Sequence, residues 1–166
     1  MKVVRRTLGS FVCLSLVLSL TQSAFGQPSF PTSPDPSLTP GSLCDKPDSK
    51  RYPEGIPYCS RSVKSDLKRD IMETYDEKLS YKVTSMKRAD FKIDHYIPLC
   101  MGGSNQPNNL WPQHESVYEI TDPLEQIACE KMAAGKLRQA EAVELLRRAK
   151  ANLGEAPAII RQVARL

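Results

Sequence analysis

Two features are missing from this sequence: a hydrophobic run long enough to span a bilayer and a pair of cysteines separated by two residues. The longest apolar run extends from Phe11 to Leu20 and is interrupted by Ser15 and Ser19, whereas a membrane-spanning helix needs roughly 20 apolar residues. Without CxxC spacing, a zinc site built from cysteines is not expected. We also find no internal repeat.

Strong charge of either sign is also missing. The chain has 23 Lys and Arg against 19 Asp and Glu, a formal charge of +4 over 166 residues. Hydrophobic residues make up 40% and charged residues 25%, which is ordinary globular usage and excludes collagen-like, coiled-coil and wholly disordered chains. The length fits one domain with appendages.

The first 26 residues have the pattern of a secretory signal peptide. Lys2, Arg5 and Arg6 precede the apolar run, and residues 24–26 offer small side chains at a cleavage site. An uncleaved N-terminal anchor is the alternative. Cleavage after residue 26 would leave 20 basic and 19 acidic side chains, so most of the positive charge belongs to the export signal. We therefore expect a periplasmic or secreted protein with no stable membrane insertion after cleavage.

Residues 27–43 are rich in proline, serine and threonine and show neither helical nor strand periodicity. Proline stiffens the chain and removes backbone donors. This composition predicts a disordered, extended tether, followed by one folded domain over residues 44–166. The prolines of the segment are Pro28, Pro31, Pro34, Pro36 and Pro40.

Four cysteines remain after cleavage of the signal: Cys44, Cys59, Cys100 and Cys129. An even number in an exported chain predicts two disulfides, for which three pairings exist. We favour Cys44–Cys59, which closes a short loop, together with Cys100–Cys129. Free buried thiols are the alternative.

Periodicity predicts an α+β fold with little sheet. Residues 62–79 carry an apolar side chain every fourth position, which indicates a helix capped by Ser62. Alternation over residues 91–99 predicts a strand, and Leu110 with Trp111 a short return strand, with Trp111 packed in the core. Asp122 and Pro123 have the form of a helix start, and two further helices are predicted over residues 140–149 and from residue 157.

Both histidines fall in an acidic stretch between basic flanks. Residues 94–130 contain six acidic side chains and no Lys or Arg, while residues 61–92 and 131–166 carry net charges of +3 and +5. This pattern suits a metal site beside a polyanion, although solvated helices can carry charge in the same way. In the pair Asp94-His95, an imidazole could accept a proton from water and a carboxylate could bind a divalent cation. The alternative is a histidine with a purely structural role.

The spacing of further residues gives this pair a context. Residues 94–105 read DHYIPLCMGGSN and residues 108–114 read NNLWPQH. The two segments resemble the HNH nucleases of the His-Me finger superfamily, most closely an exported bacterial branch with the motif NLWPQ. The resemblance implies a small ββα-metal core, two strands and a helix around one divalent ion, packed here with several α-helices and stabilised by disulfides. The glycine pair Gly102-Gly103 is expected to permit a tight turn.

Site residues follow from the same resemblance. It implies that His95 is the general base, that Asp94 is a metal ligand, and that Asn109 holds the loop and orients His95 or, in some variants, helps to hold the metal. His114 matches the third, metal-binding position only approximately, because that ligand lies further along the helix in many HNH proteins. The competing ligands for this position are Glu119 and, less strongly, Glu115.

The resemblance also implies a cofactor and a substrate. Mg²⁺ suits mostly oxygen ligands, whereas a site with His114 would also admit Mn²⁺, Zn²⁺ or Ni²⁺. The expected reaction is hydrolysis of DNA and/or RNA with little sequence specificity by a monomer. Independently of the resemblance, Lys87, Arg88 and Lys92 lie just before the predicted strand and are candidate phosphate contacts, with a solvated hairpin surface as the alternative. The alternatives are a noncatalytic metal- or nucleic-acid-binding module on this scaffold and a disulfide-stabilised envelope interaction protein.

Overall fold

The computed structural model describes residues 28–166, so the predicted signal peptide over residues 1–26 lies outside the described part. Within residues 28–166 the fold is mixed, with four helices, as the periodicity predicted, and two small antiparallel sheets, of which only the second was predicted. In chain order the elements are β1 (Ser49–Arg51), β2 (Ile56–Tyr58), α1 (Ser65–Leu79), β3 (Phe91–His95), β4 (Leu110–His114), α2 (Glu115–Ala133), α3 (Gln139–Ala151) and α4 (Ala156–Ala164).

The β3–β4 hairpin is the element on which the site depends. Its register pairs Phe91 with His114 and His95 with Leu110. The strand predicted over residues 91–99 ends at His95, because the side chain of Asn109 bonds both backbone groups of Ile97 in place of a ladder partner. Helix α2 begins directly after β4, so the hairpin and this helix follow one another in ββα order.

Helix α2 starts earlier than the sequence predicted. It begins at Glu115, and Pro123, expected at its first turn, lies inside the helix. The His114 side chain caps the new start by accepting a hydrogen bond from Ser116 N at 3.2 Å. Proline inside a helix removes one backbone donor; here Pro123 and Glu119, four residues before it, are both exposed, so water can satisfy the freed carbonyl. Helix α1 likewise begins at Ser65 rather than near the predicted cap Ser62.

Two hydrophobic clusters flank the hairpin. One packs α1 against the hairpin and includes Trp111, which is fully buried as predicted. The other joins α2, α3 and α4 with the loop between β3 and β4, through Ile97 and Met101. The hairpin therefore lies between the two cores, and its polar residues are held by packing on both faces.

The proline-rich segment differs from its prediction. Residues 28–43 were expected to be a disordered tether, but they lie against the folded body. Thr39 is 1% exposed, and its hydroxyl bonds Tyr75 Oη at 2.7 Å and Leu110 O at 3.0 Å. Gly41 N donates to Asn108 O at 2.9 Å. Proline removes donors from the segment itself, but the remaining Ser, Thr and backbone groups find partners on the hairpin loop and on α1.

Both predicted disulfides are confirmed. Cys44 is bonded to Cys59 and Cys100 to Cys129. The first encloses the β1–β2 hairpin, which the sequence analysis missed, and the second ties the β3–β4 loop to α2. Disulfides are typical of proteins in oxidising compartments. No helix within residues 28–166 is long and apolar enough to cross a membrane.

Candidate functional site

The end of β3 carries the Asp94-His95 pair. Successive side chains of a strand point to opposite faces. Asp94 therefore faces α2 and α3, whereas His95 faces the segment that precedes α1. The two residues are neighbours in sequence but have separate surroundings.

His95 lies under Arg61 and Asn105 and is only 3% exposed. Its Nε2 is 3.1 Å from Asn105 Oδ1, and its Nδ1 is 3.3 Å from an Arg61 guanidinium nitrogen. The Asn105 amide donates through Nδ2 to Ser60 O at 2.8 Å and accepts at Oδ1 from Ser62 N at 3.1 Å. A carbonyl can only accept and a backbone N–H can only donate, so Asn105 must present its oxygen to His95. We infer that His95 carries its proton on Nε2 and a lone pair on Nδ1.

Burial sets the charge state of His95. Desolvation is the main effect that lowers the pKa of His95, to about 4, and the nearby positive charge of Arg61 acts in the same direction. The hydrogen bond with Asn105 opposes this shift. His95 is therefore a neutral imidazole at neutral pH, and its Nδ1 is an acceptor that faces the Arg61 guanidinium.

Asn109 holds the loop that follows β3. Its Nδ2 donates to Ile97 O and to Ser104 O, both at 2.9 Å, and its Oδ1 accepts from Ile97 N at 2.9 Å. These bonds tie both ends of the loop together around a residue with no exposed surface. The residue that bonds the His95 ring is Asn105, so orientation of the imidazole falls to Asn105 directly and to Asn109 only through the loop.

Asp94 faces two lysines. Its Oδ2 accepts a hydrogen bond from Lys150 Nζ at 2.8 Å, and its Oδ1 lies 3.6 Å from Lys92 Nζ. Lys150 also contacts Glu125 Oε1 at 2.6 Å as an ion pair. Burial alone would raise the pKa of Asp94, but the charges of Lys150 and Lys92 lower it overall. The carboxylate is therefore ionised and neutralised from within the protein.

A divalent ion does not fit beside Asp94 in this arrangement. Each of its two carboxylate oxygens already faces an ammonium group, and a second cation at the same oxygens would be repelled by both. Lys150 has no exposed surface, so it cannot turn out to solvent to make room. The acidic residue that the resemblance assigns to a metal thus has a lysine as its partner.

His114 lies at the other end of the hairpin. It is three residues along β4 from the partner of Asp94, a separation of about 10 Å at the usual strand rise. One ion could not bind both residues at that distance. His114 instead lies with Asp90 and Glu115, and each of the three offers a ligand atom within 4.8 Å of the others. The His114 ring stacks on Phe30 with centroids 4.1 Å apart.

The remaining predicted residues are spread around this hairpin. Glu119 is exposed one turn beyond Glu115 on α2, outside the group of three. Lys92 is engaged by Asp122, with both oxygens at 2.7 Å, so it is not free for phosphate. Lys87 is exposed beside Asp90 at 3.2 Å. Arg88 donates to Phe91 O at 2.6 Å and borders a cleft of about 430 Å³ on α1.

The comparison with known proteins finds no protein similar to this chain. The chain matches no protein-family model, no curated protein and no solved structure. The HNH resemblance therefore rests on the motif residues alone, and a function for this site has to be argued from its geometry.

Four residues of the site were not assigned from the sequence: Arg61, Asn105, Glu125 and Lys150. Asn105 stood inside the recognised motif without a role. Lys150 carried a detectable signal, because it follows Leu146 by four residues and so occupies the apolar stripe of α3. Arg61 is distant in sequence and has no pattern that would connect it to His95.

Proposed function

We propose that this protein hydrolyses phosphodiester bonds in nucleic acid, with His95 as the general base. The observation that carries the proposal is the hydrogen-bond pattern of His95, because Asn105 holds the proton on Nε2 and leaves the Nδ1 lone pair beside the Arg61 guanidinium. A histidine nitrogen that can accept a proton, next to a guanidinium that can bind phosphate oxygens, suits attack by water on a phosphate anion. The sequence resemblance of residues 94–114 to HNH nucleases supports the same reaction class.

In this mechanism Arg61 binds the scissile phosphate. The guanidinium is exposed and covers His95, and its second nitrogen donates to Ile93 O at 3.1 Å. A phosphate oxygen would compete for these N–H groups and draw the guanidinium off Nδ1. The movement would uncover the lone pair at the moment when a substrate is bound.

The chemical step then uses the groups on this face. Nδ1 of His95 takes a proton from water, and the hydroxide oxygen bonds to phosphorus as the bond to the leaving oxygen breaks. Arg61 stabilises the negative charge on the non-bridging oxygens, and the leaving oxygen takes a proton from solvent. Asn105 accepts from Nε2–H throughout and so stabilises the imidazolium that forms.

The test is cleavage of plasmid DNA and of RNA by the full chain with both disulfides formed. We expect His95→Gln to abolish cleavage and Arg61→Ala to lower kcat/KM by at least about 100-fold, with partial recovery in Arg61→Lys. The matched control is Lys64→Ala, which removes an exposed basic side chain three residues from Arg61. Cleavage that persists unchanged in His95→Gln would refute the proposal.

A noncatalytic nucleic-acid-binding module is the second candidate. It is favoured by the low exposure of His95 and by the lysine-neutralised Asp94, which together resemble a structural network. It predicts that DNA or RNA binds without turnover and that Arg61→Ala weakens this binding. Absence of both binding and cleavage would instead support the envelope interaction protein.

A further inference from the structure

The most unusual group outside the proposed reaction is the ammonium of Lys150. It lies on the inner face of α3 with no exposed surface. Hydrogen bonds run from Nζ to Asp94 Oδ2 at 2.8 Å and to His95 O at 2.7 Å, and Glu125 Oε1 is 2.6 Å away. Three oxygens from β3 and α2 thus converge on one positive charge.

This set of oxygens has the composition of a cation site. Two carboxylates and one backbone carbonyl are ligands that a hard divalent ion would use. They come from the end of a strand and from the helix that follows its hairpin. The ammonium has three N–H groups, of which two donate to Asp94 Oδ2 and His95 O at 2.8 and 2.7 Å, while Glu125 Oε1 is held as an ion pair at 2.6 Å.

Neighbouring charges keep the ammonium in place. Lys150 faces Asp94 and Glu125, and Lys92 approaches Asp94 from the other side while it binds Asp122. Loss of Lys150 would leave the buried Asp94 and the half-buried Glu125 with one partly exposed lysine nearby. Removal of one partner from a buried ion pair is strongly unfavourable because the remaining charge is uncompensated. The lysine is therefore not readily displaced by a dissolved ion.

We propose that the Lys150 ammonium permanently occupies the cation position between Asp94 and Glu125, so that this protein binds no divalent ion at Asp94. The inference deepens the proposed function by naming the cation of its site, and it rests on that function only for its catalytic consequence. The consequence is that hydrolysis through His95 and Arg61 does not require an ion at Asp94.

The first test measures Mn²⁺ binding to the full, oxidised chain by electron paramagnetic resonance. The wild type is compared with Asp94→Asn and with His114→Ala. We expect that any Mn²⁺ bound by the wild type is retained in Asp94→Asn, because the Asp90, His114 and Glu115 group is the separate place for such an ion. A wild-type stoichiometry of one that is lost in Asp94→Asn and kept in His114→Ala would overturn the proposal.

The second test removes the ammonium from the cation position between Asp94 and Glu125. Lys150→Ala removes the ammonium and leaves its oxygens, so we expect it to bind Mn²⁺ about tenfold or more tightly than the wild type and to gain Tm on Mn²⁺ addition. Lys136→Ala, which removes an exposed lysine between α2 and α3, is the control and should show neither effect. A folded Lys150→Ala that gains no affinity would contradict the proposal. If the variant does not fold, the wild-type and Asp94→Asn titrations still decide.

These measurements are separable from the nuclease assay. Ion binding at Asp94 would refute the cation proposal even if DNA is cleaved. Absence of cleavage together with an ion-free Asp94 would refute the hydrolase and leave the cation proposal intact. The cation proposal would also be contradicted if cleavage stops in EDTA and depends on a Mn²⁺ ion that the Asp94→Asn variant no longer binds.

Discussion

The two ends of the β3–β4 hairpin carry the two histidines of this protein in opposite environments. At the His95 end, His95, Asp94 and Lys150 are buried, and each of the three has a hydrogen-bond partner within the fold. At the His114 end, Asp90 and His114 are half-buried and Glu115 is exposed. The ends are separated by the length of one five-residue strand.

The comparison shows that burial changes which partners the same residue types require. Both ends combine a histidine with carboxylates, so composition alone would make either a metal site. Burial at the Asp94 end makes an uncompensated carboxylate costly, and a lysine from α3 supplies the countercharge. Exposure at the His114 end makes no such demand, and the lysine that pairs with Asp90 there, Lys87 at 3.2 Å, is exposed and can move away when an ion binds. The hairpin thus separates the buried His95 from the more exposed group of Asp90, His114 and Glu115.

The largest expected effect is on the countercharge at the buried end. Lys150→Met should lower the free energy of unfolding by about 3–5 kcal/mol, because it leaves the buried Asp94 and the half-buried Glu125 without their main partner. Urea denaturation measures the loss. Arg148→Met on the same helix breaks an exposed pair with Glu155 and should cost under about 1 kcal/mol. Equal losses of unfolding free energy in the two variants would contradict the difference that we draw between the buried and the exposed ion pair.

The next effect concerns the loop that closes the same end. Asn109→Ala removes the partner of Ile97 N, Ile97 O and Ser104 O, and should cost about 2–4 kcal/mol, since buried backbone groups lose their hydrogen bonds. Thermal unfolding with Asn108→Ala as the exposed neighbour control checks this. A loss confined to cleavage, with stability unchanged, would show that Asn109 acts on the reaction rather than on the loop.

The pH dependence of stability tests the burial of His95. The pKa of His95 falls from 6.5 to about 4 on folding, so the unfolded chain binds the extra proton first as pH falls. The stability that depends on neutral His95 is present above pH 6.5 and is lost as pH falls through 6.5 towards 4, by about 3 kcal/mol at most. Chemical denaturation at pH 7.5 and at pH 4.5 measures this loss, which should be smaller in His95→Gln. An identical pH dependence in that variant would contradict the role of burial.

The smallest effect is expected at the open end. His114→Ala removes the cap of α2 and the ring stacked on Phe30, and should cost about 1 kcal/mol, typical of a lost helix cap. We expect cleavage of DNA to change far less than in His95→Gln. Denaturation and cleavage assays on both variants check this. A loss of cleavage as large as that of His95→Gln would make the two ends functionally equivalent.

Much of the fold was predictable because local patterns controlled it. The apolar stripe of α1, the alternation of β3 and the even cysteine number each follow from neighbours in sequence or from redox chemistry. The predicted start of α2 was wrong because Asp122 and Pro123 have the form of a helix start. The actual cap at His114 forms because strand β4 ends there. The prediction that residues 28–43 belong to a disordered tether was wrong, because the partners that hold them, Tyr75 and the β3–β4 loop, are distant in sequence.

The candidate site was predictable only in part. The motif identified His95, Asp94, Asn109 and the loop that carries Asn105, because those residues are close in sequence. It could not separate His114 from Asp94, since that distance depends on strand register.

The sequence alone indicated the α+β class, the number of disulfides and the position of the Asp94-His95 pair at the end of a strand. These properties depend on side-chain periodicity, cysteine number and short-range turns. Only the tertiary structure decided that Arg61 and Asn105 enclose His95 and that Lys150 neutralises Asp94. Those contacts join residues 10 to 56 positions apart, and their strength comes from the exclusion of water by packing that no single segment contains.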